Sequence, residues 1–227
     1  MRAVIVANGP MPQPPLPELH VGERDLVVVV DGGARNALGL GLQPHVVLGD
    51  LDSMEPELRQ HLDQEGVQFV AYPARKDETD SELAVKYALD RGATDLVLLG
   101  ALGGRIDHAL ANIMLLAIPQ LEGVRARMID GSQELTLIRD EAVIEGNPGD
   151  VISLLPLAGD ATGIHTEGLE YTLHGETLKF GAARGVSNVL AAPLARVRVG
   201  AGLLLLVHQH QAPAEKRGLD VQGGYHD

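Results

Sequence analysis

The feature that most constrains this chain is a series of short aliphatic runs, each closing on aspartate, glycine or proline and alternating with helix-like stretches. Ala3–Ala7, Leu26–Val30, Val46–Leu48, Val67–Ala71 and Asp95–Leu99 have the β-branched and apolar content of buried strands. Ala34–Leu40 and Pro56–Glu65 read as helices, followed by Gly41 and Gly66. Thr79-x-x-Glu82 matches a capping box and opens a third helix that stops at Gly92. A fourth is expected from Asp107 as its cap, with Leu110, Met114 and Ala117 on one face and a stop near Pro119. Strands that alternate with helices build parallel units with right-handed crossovers. An α/β domain with a mostly parallel sheet is therefore expected at the N-terminal end.

The pattern changes near Leu121. Beyond Val124 no helical period persists, and short strand-like runs follow at Arg125–Ile129, Leu135–Arg139, Ala142–Glu145, Val151–Leu155, Thr177–Phe180, Leu194–Val199 and Leu203–Val207. Such spacing, punctuated by glycine, asparagine, aspartate and proline, predicts an all-β, sandwich-like domain. The expected division is 1–122 for the α/β catalytic domain, 123–210 for the β domain and 211–227 for a loose tail.

At 227 residues the chain has room for one large or two small domains with a sizeable core. It contains no cysteine, which excludes disulfides and thiolate metal sites, and no tryptophan, so the core must be aliphatic. A net charge of −13 argues against nucleic acid or an anionic membrane as partner, since both need a basic face. Met1–Ala7 is too short for the apolar region of a signal peptide, and no apolar stretch approaches the roughly 20 residues of a membrane span. The expected location is cytoplasmic.

Chemistry concentrates at strand ends. Gly49-Asp50-Leu51-Asp52-Ser53 follows the third strand. If strand geometry persists, Asp50 and Asp52 point to one side. Two carboxylates about 4 Å apart repel by roughly 4 kcal/mol at an effective dielectric near 20. A hard cation such as Mg²⁺ removes that cost and usually takes phosphate oxygens as well. Asp31-Gly32-Gly33, Asp77 to Asp80 and Gly103-Gly104-Arg105 also lie just beyond strands, and in a parallel sheet such ends converge at one edge. The glycines allow close backbone approach to a ligand; taken singly, each also reads as a tight turn. Arg35, Arg75, Lys76 and Arg105 flank these turns, ready for phosphate oxygens or for ion pairs with the same aspartates. No P-loop motif is present. His108 sits in the glycine-rich turn, within reach of a ligand there. His45 and His61 read as surface residues. His208 and His210 alternate at a strand end with no acidic partner nearby in sequence. Ser153 and Ser187 lack the G-x-S-x-G context of a hydrolase nucleophile.

These residues resemble a family. Asp31-Gly32-Gly33-Ala34, Gly49-Asp50-Leu51-Asp52-Ser53, Lys76-Asp77-Glu78-Thr79-Asp80 and Gly103-Gly104-Arg105-Ile106-Asp107-His108-x-x-x-Asn112 look like the motif series of thiamine pyrophosphokinases. Thr166-Glu167-Gly168-Leu169-x-Tyr171 and Arg184-Gly185-Val186-Ser187-Asn188 look like that family's C-terminal signature, so the resemblance runs from about Met1 to Val207. It implies Mg²⁺-dependent transfer of pyrophosphate from ATP to the hydroxyl of thiamine, with release of AMP, by a homodimer with composite sites. It also implies that Asp50, Asp52 and Asp80 hold Mg²⁺, and that Asp31, Lys76 and Asp77 line the phosphate and hydroxyl site. Gly32, Gly33, Arg75, Gly104, Arg105 and His108 would meet the nucleotide, and Ser187 and Asn188 thiamine. Some members, especially eukaryotic ones, stack a tryptophan on thiamine after the serine motif; this chain has none. A D-x-D turn after a strand also suits a nucleotide-sugar glycosyltransferase with Mn²⁺, and a non-catalytic nucleotide-sensing module could share the fold. AMP release that depends on thiamine separates the three.

Overall fold

The computed structural model describes residues 1–11, 20–51, 54–73 and 77–211. By its internal contacts the chain forms two compact units, Met1–Leu137 and Ile138–Asp227.

In the first unit the aliphatic runs become β1 (Arg2–Val6), β2 (Leu26–Val30), β3 (Val46–Gly49), β4 (Gln68–Ala71) and β5 (Asp95–Leu99), and β6 (Arg125–Asp130) continues them. All six are parallel, in the order β6-β5-β1-β2-β3-β4; β7 (Gln133–Ile138) pairs antiparallel with β6. The sheet thus takes in two strands past the point where helical patterning stops. Val4, Val6, Val27, Val29, Val47, Val97 and Leu99 share one core with Ala34 and Ala37 of α1 (Ala34–Gly39) and Leu62 of α2 (Pro56–Gln64). The alternate set Ile5, Val28, Leu48, Leu96 and Leu98 is also buried, and α3 (Asp80–Asp90) packs on β1, β2 and β3. Burial on both faces explains why these strands read as continuous apolar runs rather than alternating ones.

One expectation about helix starts holds and one needs adjusting. The Thr79 side chain accepts from the Glu82 amide at 3.2 Å, as the capping box predicts. By contrast α4 (Ile106–Leu115) starts one residue before Asp107, with Arg105 at the cap position and no side-chain cap bond. Of the face read from the spacing, Leu110 and Met114 are 51% and 58% exposed, as is Ile106 at 78%, while Asn112 and Leu115 point inward.

The second unit is antiparallel. β8 (Glu141–Glu145), β10 (Ala161–Glu167), β11 (His174–Leu178) and β13 (Leu194–Arg198) form one sheet in the order β11-β10-β13-β8. β9 (Val151–Pro156) lies between β12 (Asn188–Val189) and β14 (Leu204–Gln209). Ile152, Leu154, Leu204 and Leu206 share a core with Ile144, Ile164, Leu178 and Val197, which makes the unit sandwich-like. β10 was not legible in the sequence: Gly163, His165 and Thr166 interrupt its apolar pattern.

Candidate active site

β1 pairs with β2 on one side and with β5 on the other, so the order of the parallel strands reverses between β1 and β5. In open α/β sheets ligands bind at such a switch point, beyond the carboxyl ends of the strands. A cleft of about 620 Å³ lies there. It is lined by the turn after β1 (Asn8, Gly9), by Asp31 after β2, by Asp77 and Asp80 before and at the start of α3, and by Gly104, Arg105 and His108 around the start of α4.

Close backbone approach builds this edge. The amides of Ala7 and Gly9 donate to Leu99 O and Gly100 O, each at 2.8 Å, so the turns after β1 and β5 run together. A Cβ on Gly9 would collide with the carbonyls of Gly100 and Leu102. Asn36 donates to the carbonyls of Ala7 (2.9 Å) and Gly9 (2.8 Å), and buried Asn112 donates to Ala101 O at 2.7 Å, pinning both turns to the helices. Asn8, Gly9 and Asn36 escaped the sequence reading because their partners come from distant segments. Gly32 and Gly33 have a packing role of their own, since side chains there would meet Asn8 and Val6 O.

Strain marks the same places. Among the described residues, the non-glycine positions with left-handed φ are Asp31 (42°), Leu51 (61°) and Ser187 (60°). All three lie within the motifs singled out from the sequence. Such conformations cost of order 1–3 kcal/mol and cluster at functional sites. At Leu51 the chain leaves strand geometry, and its side chain turns into the core. Asp52, Ser53, Arg75 and Lys76 lie outside the described residues.

The carboxylates interact. Burial pushes the Asp31 carboxyl up to about 6, with the charge of Asp80, a hydrogen bond with Asp80 and the charge of Asp50 adding to the rise; the Leu51 amide opposes it. Asp31 Oδ1 is buried and has no hydrogen-bond partner among the described residues. An all-oxygen cluster with an unsatisfied buried acceptor at Asp31 has the donor chemistry that suits a hard divalent cation such as Mg²⁺. The cations are less free than the sequence suggests. Arg35 pairs with Glu55, and Arg105 donates from Nε and Nη2 to the two Asp107 oxygens (3.1 and 2.6 Å). The Arg105 pair is exposed and sits on the cleft wall with His108.

Ser187 and Asn188 belong to the second unit. The Ser187 amide donates to Ser153 Oγ at 3.0 Å. Asn188 Oδ1 accepts from the amides of Tyr171 (3.0 Å) and Val189 (2.8 Å), and its Nδ2 donates to Tyr171 O at 2.7 Å. The carboxamide thus clips Tyr171 in place and, among the described residues, keeps one N–H spare; the Tyr171 side chain is exposed.

A parallel α/β unit with an acidic, glycine-walled cleft at its switch point, followed by an antiparallel β unit, defines a two-part group-transferring enzyme. Residues 18–128 match the family model described as thiamin pyrophosphokinase, catalytic domain, and residues 136–204 that described as thiamin pyrophosphokinase, vitamin B1 binding domain. The chain belongs to the thiamine pyrophosphokinase family. Over 205 residues it is 29% identical to the thiamine pyrophosphokinase of Bacillus subtilis, covering 89% of this chain and 96% of that protein. A crystal structure of thiamine pyrophosphokinase from Bacillus subtilis superposes with a TM-score of 0.83 at 27% identity, over 93% of this chain and 100% of that one. A family member from Enterococcus faecalis superposes at 0.81 with 26% identity, over 93% and 100% of the two chains. Membership favours neither the glycosyltransferase nor the sensing-module reading. No helix among the described residues is long and apolar enough to cross a membrane.

Proposed function

We propose that this chain transfers a pyrophosphoryl group from ATP to the hydroxyl of thiamine, giving thiamine diphosphate and AMP. The observation that supports the ATP and metal assignment is the setting of Asp31, which lines the switch-point cleft with Asp77 and Asp80 and whose carboxyl is raised by burial and by the charges of Asp80 and Asp50. Asp50, Asp52 and Asp80 are the proposed Mg²⁺ ligands. A bound Mg²⁺ would supply charge neutralisation for the polyphosphate and the leaving AMP. Asp31, Lys76 and Asp77 line the phosphate and hydroxyl site, and a carboxylate of the cluster left unbound by the cation takes the hydroxyl proton. The amides at the uncapped start of α4 suit phosphate oxygens. Arg75, Arg105 and His108 add hydrogen-bond donors there, and Gly32, Gly33 and Gly104 keep the backbone within reach of the nucleotide.

In the second unit Ser187 and Asn188 contact thiamine, and Asn188 also presents the exposed ring of Tyr171, which offers an aromatic face in a chain without tryptophan. We read the protein as a cytoplasmic homodimer whose sites combine the cleft of one protomer with the thiamine contacts of its partner. The exposed stripe Ile106, Leu110 and Met114, beside Arg105 and His108, supports a partner surface at the cleft's rim. The test is AMP release from ATP by the purified chain, with and without thiamine and Mg²⁺, alongside its sedimentation mass. AMP release that ignores thiamine refutes the acceptor; a monomer at working concentration refutes the composite site.

A further inference from the structure

Asp150, His208 and His210 form a cluster in the second unit that the transfer reaction does not use. His208 is on β14 and His210 just beyond it, two residues on, so an extended chain puts both rings on one side. The rings lie together, with centroids 3.8 Å apart. The missing acid comes from far along the chain. β9 pairs antiparallel with β14, opposing Val151 to Gln209 and Ile152 to His208, so Asp150 at the entrance to β9 meets the end of β14. Its Oδ2 lies 2.9 Å from His208 Nε2 and 3.7 Å from His210 Nδ1. One ligand atom from each residue falls within 4.8 Å of the others.

We propose that Asp150, His208 and His210 bind a divalent late-transition metal of the Zn²⁺ type. Two imidazoles and one carboxylate are a donor set for such ions, whereas Mg²⁺ prefers oxygen alone. Bonds of about 2.0–2.1 Å in tetrahedral geometry separate donors by roughly 3.3 Å, between the two distances found here. Three protein ligands leave a fourth position for water. The surroundings are already arranged. The Asp150 carboxylate is fully buried and accepts from the amides of Gln211 (2.8 Å) and Asn147 (3.0 Å), which fix its orientation as outer-sphere donors do. Gly146 leaves the space beside the donors clear: a Cβ there would lie 2.7 Å from Asp150 Oδ2 and 3.0 Å from His208 Nε2. The His210 side chain is 26% exposed, which gives an ion a way in. A metal at this point ties the end of β14 to the start of β9.

The experiment uses the full, tag-free chain, stripped with chelator and titrated with ZnCl₂ at pH 7.5 in millimolar MgCl₂. One Zn²⁺ should bind per chain without displacement by Mg²⁺, and the melting temperature should rise with it. His210→Ala, at a partly exposed position, should weaken binding at least tenfold and abolish the shift; His208→Gln should do the same where it folds. Binding should also weaken on acidification, because protons compete with a metal for its ligands. Absence of a stoichiometric Zn²⁺, or His210→Ala binding as tightly as the parent, overturns the proposal.

Discussion

The Asp31 carboxylate occupies the space in which a side chain on Gly49 would begin: a Cβ on Gly49 would overlap Asp31 Oδ1. Gly49 also has φ +148°, a conformation that L side chains rarely adopt. The end of β3 is thus kept bare so that the acid following β2 can lie across it. Gly49→Ala should push Asp31 out of place. The expected outcome is a fall of at least 100-fold in thiamine-dependent AMP release, with a lower melting temperature. Crystallography of the variant would show whether Asp31 has moved; wild-type turnover would contradict the relationship.

Asp50→Asn removes one of the repelling charges near Asp31. Turnover should drop on the order of 10²–10³-fold, the usual cost of removing one electrostatic group from a transfer site. Without Mg²⁺ the variant should melt no lower than the parent, and higher where repulsion dominates. Scanning calorimetry in chelator, beside an AMP assay, checks both halves.

Arg105→Ala tests whether that guanidinium serves the nucleotide or only Asp107. The pair is exposed, and ion pairs of that kind contribute little to stability. The melting temperature should therefore barely move, while KM for ATP rises and KM for thiamine changes little. A loss of stability with unchanged ATP affinity would assign Arg105 to Asp107 alone.

Composite sites predict rescue. Mixing inactive Asp50→Asn homodimers with inactive Ser187→Ala/Asn188→Ala homodimers should restore activity after subunit exchange. One of the two sites in each heterodimer then contains only intact parts. Exchange demonstrated by mass, with no recovery, would place both halves of the site in one protomer.

Asp150 contributes to the pH dependence of the second unit's stability. Burial alone would raise its carboxyl, but hydrogen bonds from the Gln211 and Asn147 amides and from His208 outweigh it and hold the group below its usual value of 3.8. A depressed folded-state value means that its stabilisation is complete above the unfolded value and is lost as pH falls through the folded one. In metal-free protein, Asp150→Asn should cost about 1–3 kcal/mol near neutral pH, because an amide N–H would face groups that already donate. That difference should shrink below pH 3.8, as the parent carboxylate takes up protons. Urea unfolding of both proteins at pH 7 and pH 3 measures it.

The sequence by itself determined the elements of the first unit. Unbroken aliphatic runs such as Leu26–Val30 follow from burial on both sheet faces, and Thr79-x-x-Glu82 is a local hydrogen bond written in four residues. The acidic and glycine-rich turns were legible for the same reason, since each is local and follows a recognisable strand. Only the tertiary structure decided what depends on strand order and register. The reversal between β1 and β5 opens the cleft and explains Gly9, whose contact lies some ninety residues away at Gly100. The outward turn of Ile106, Leu110 and Met114 depends on which face of α4 the sheet accepts, and helical spacing alone cannot choose between faces. Asp150 meets His208 because antiparallel pairing brings the start of β9 to the end of β14. A local pattern fixes the conformation of a segment, but the long-range pairing of segments is set by the burial of all of them together.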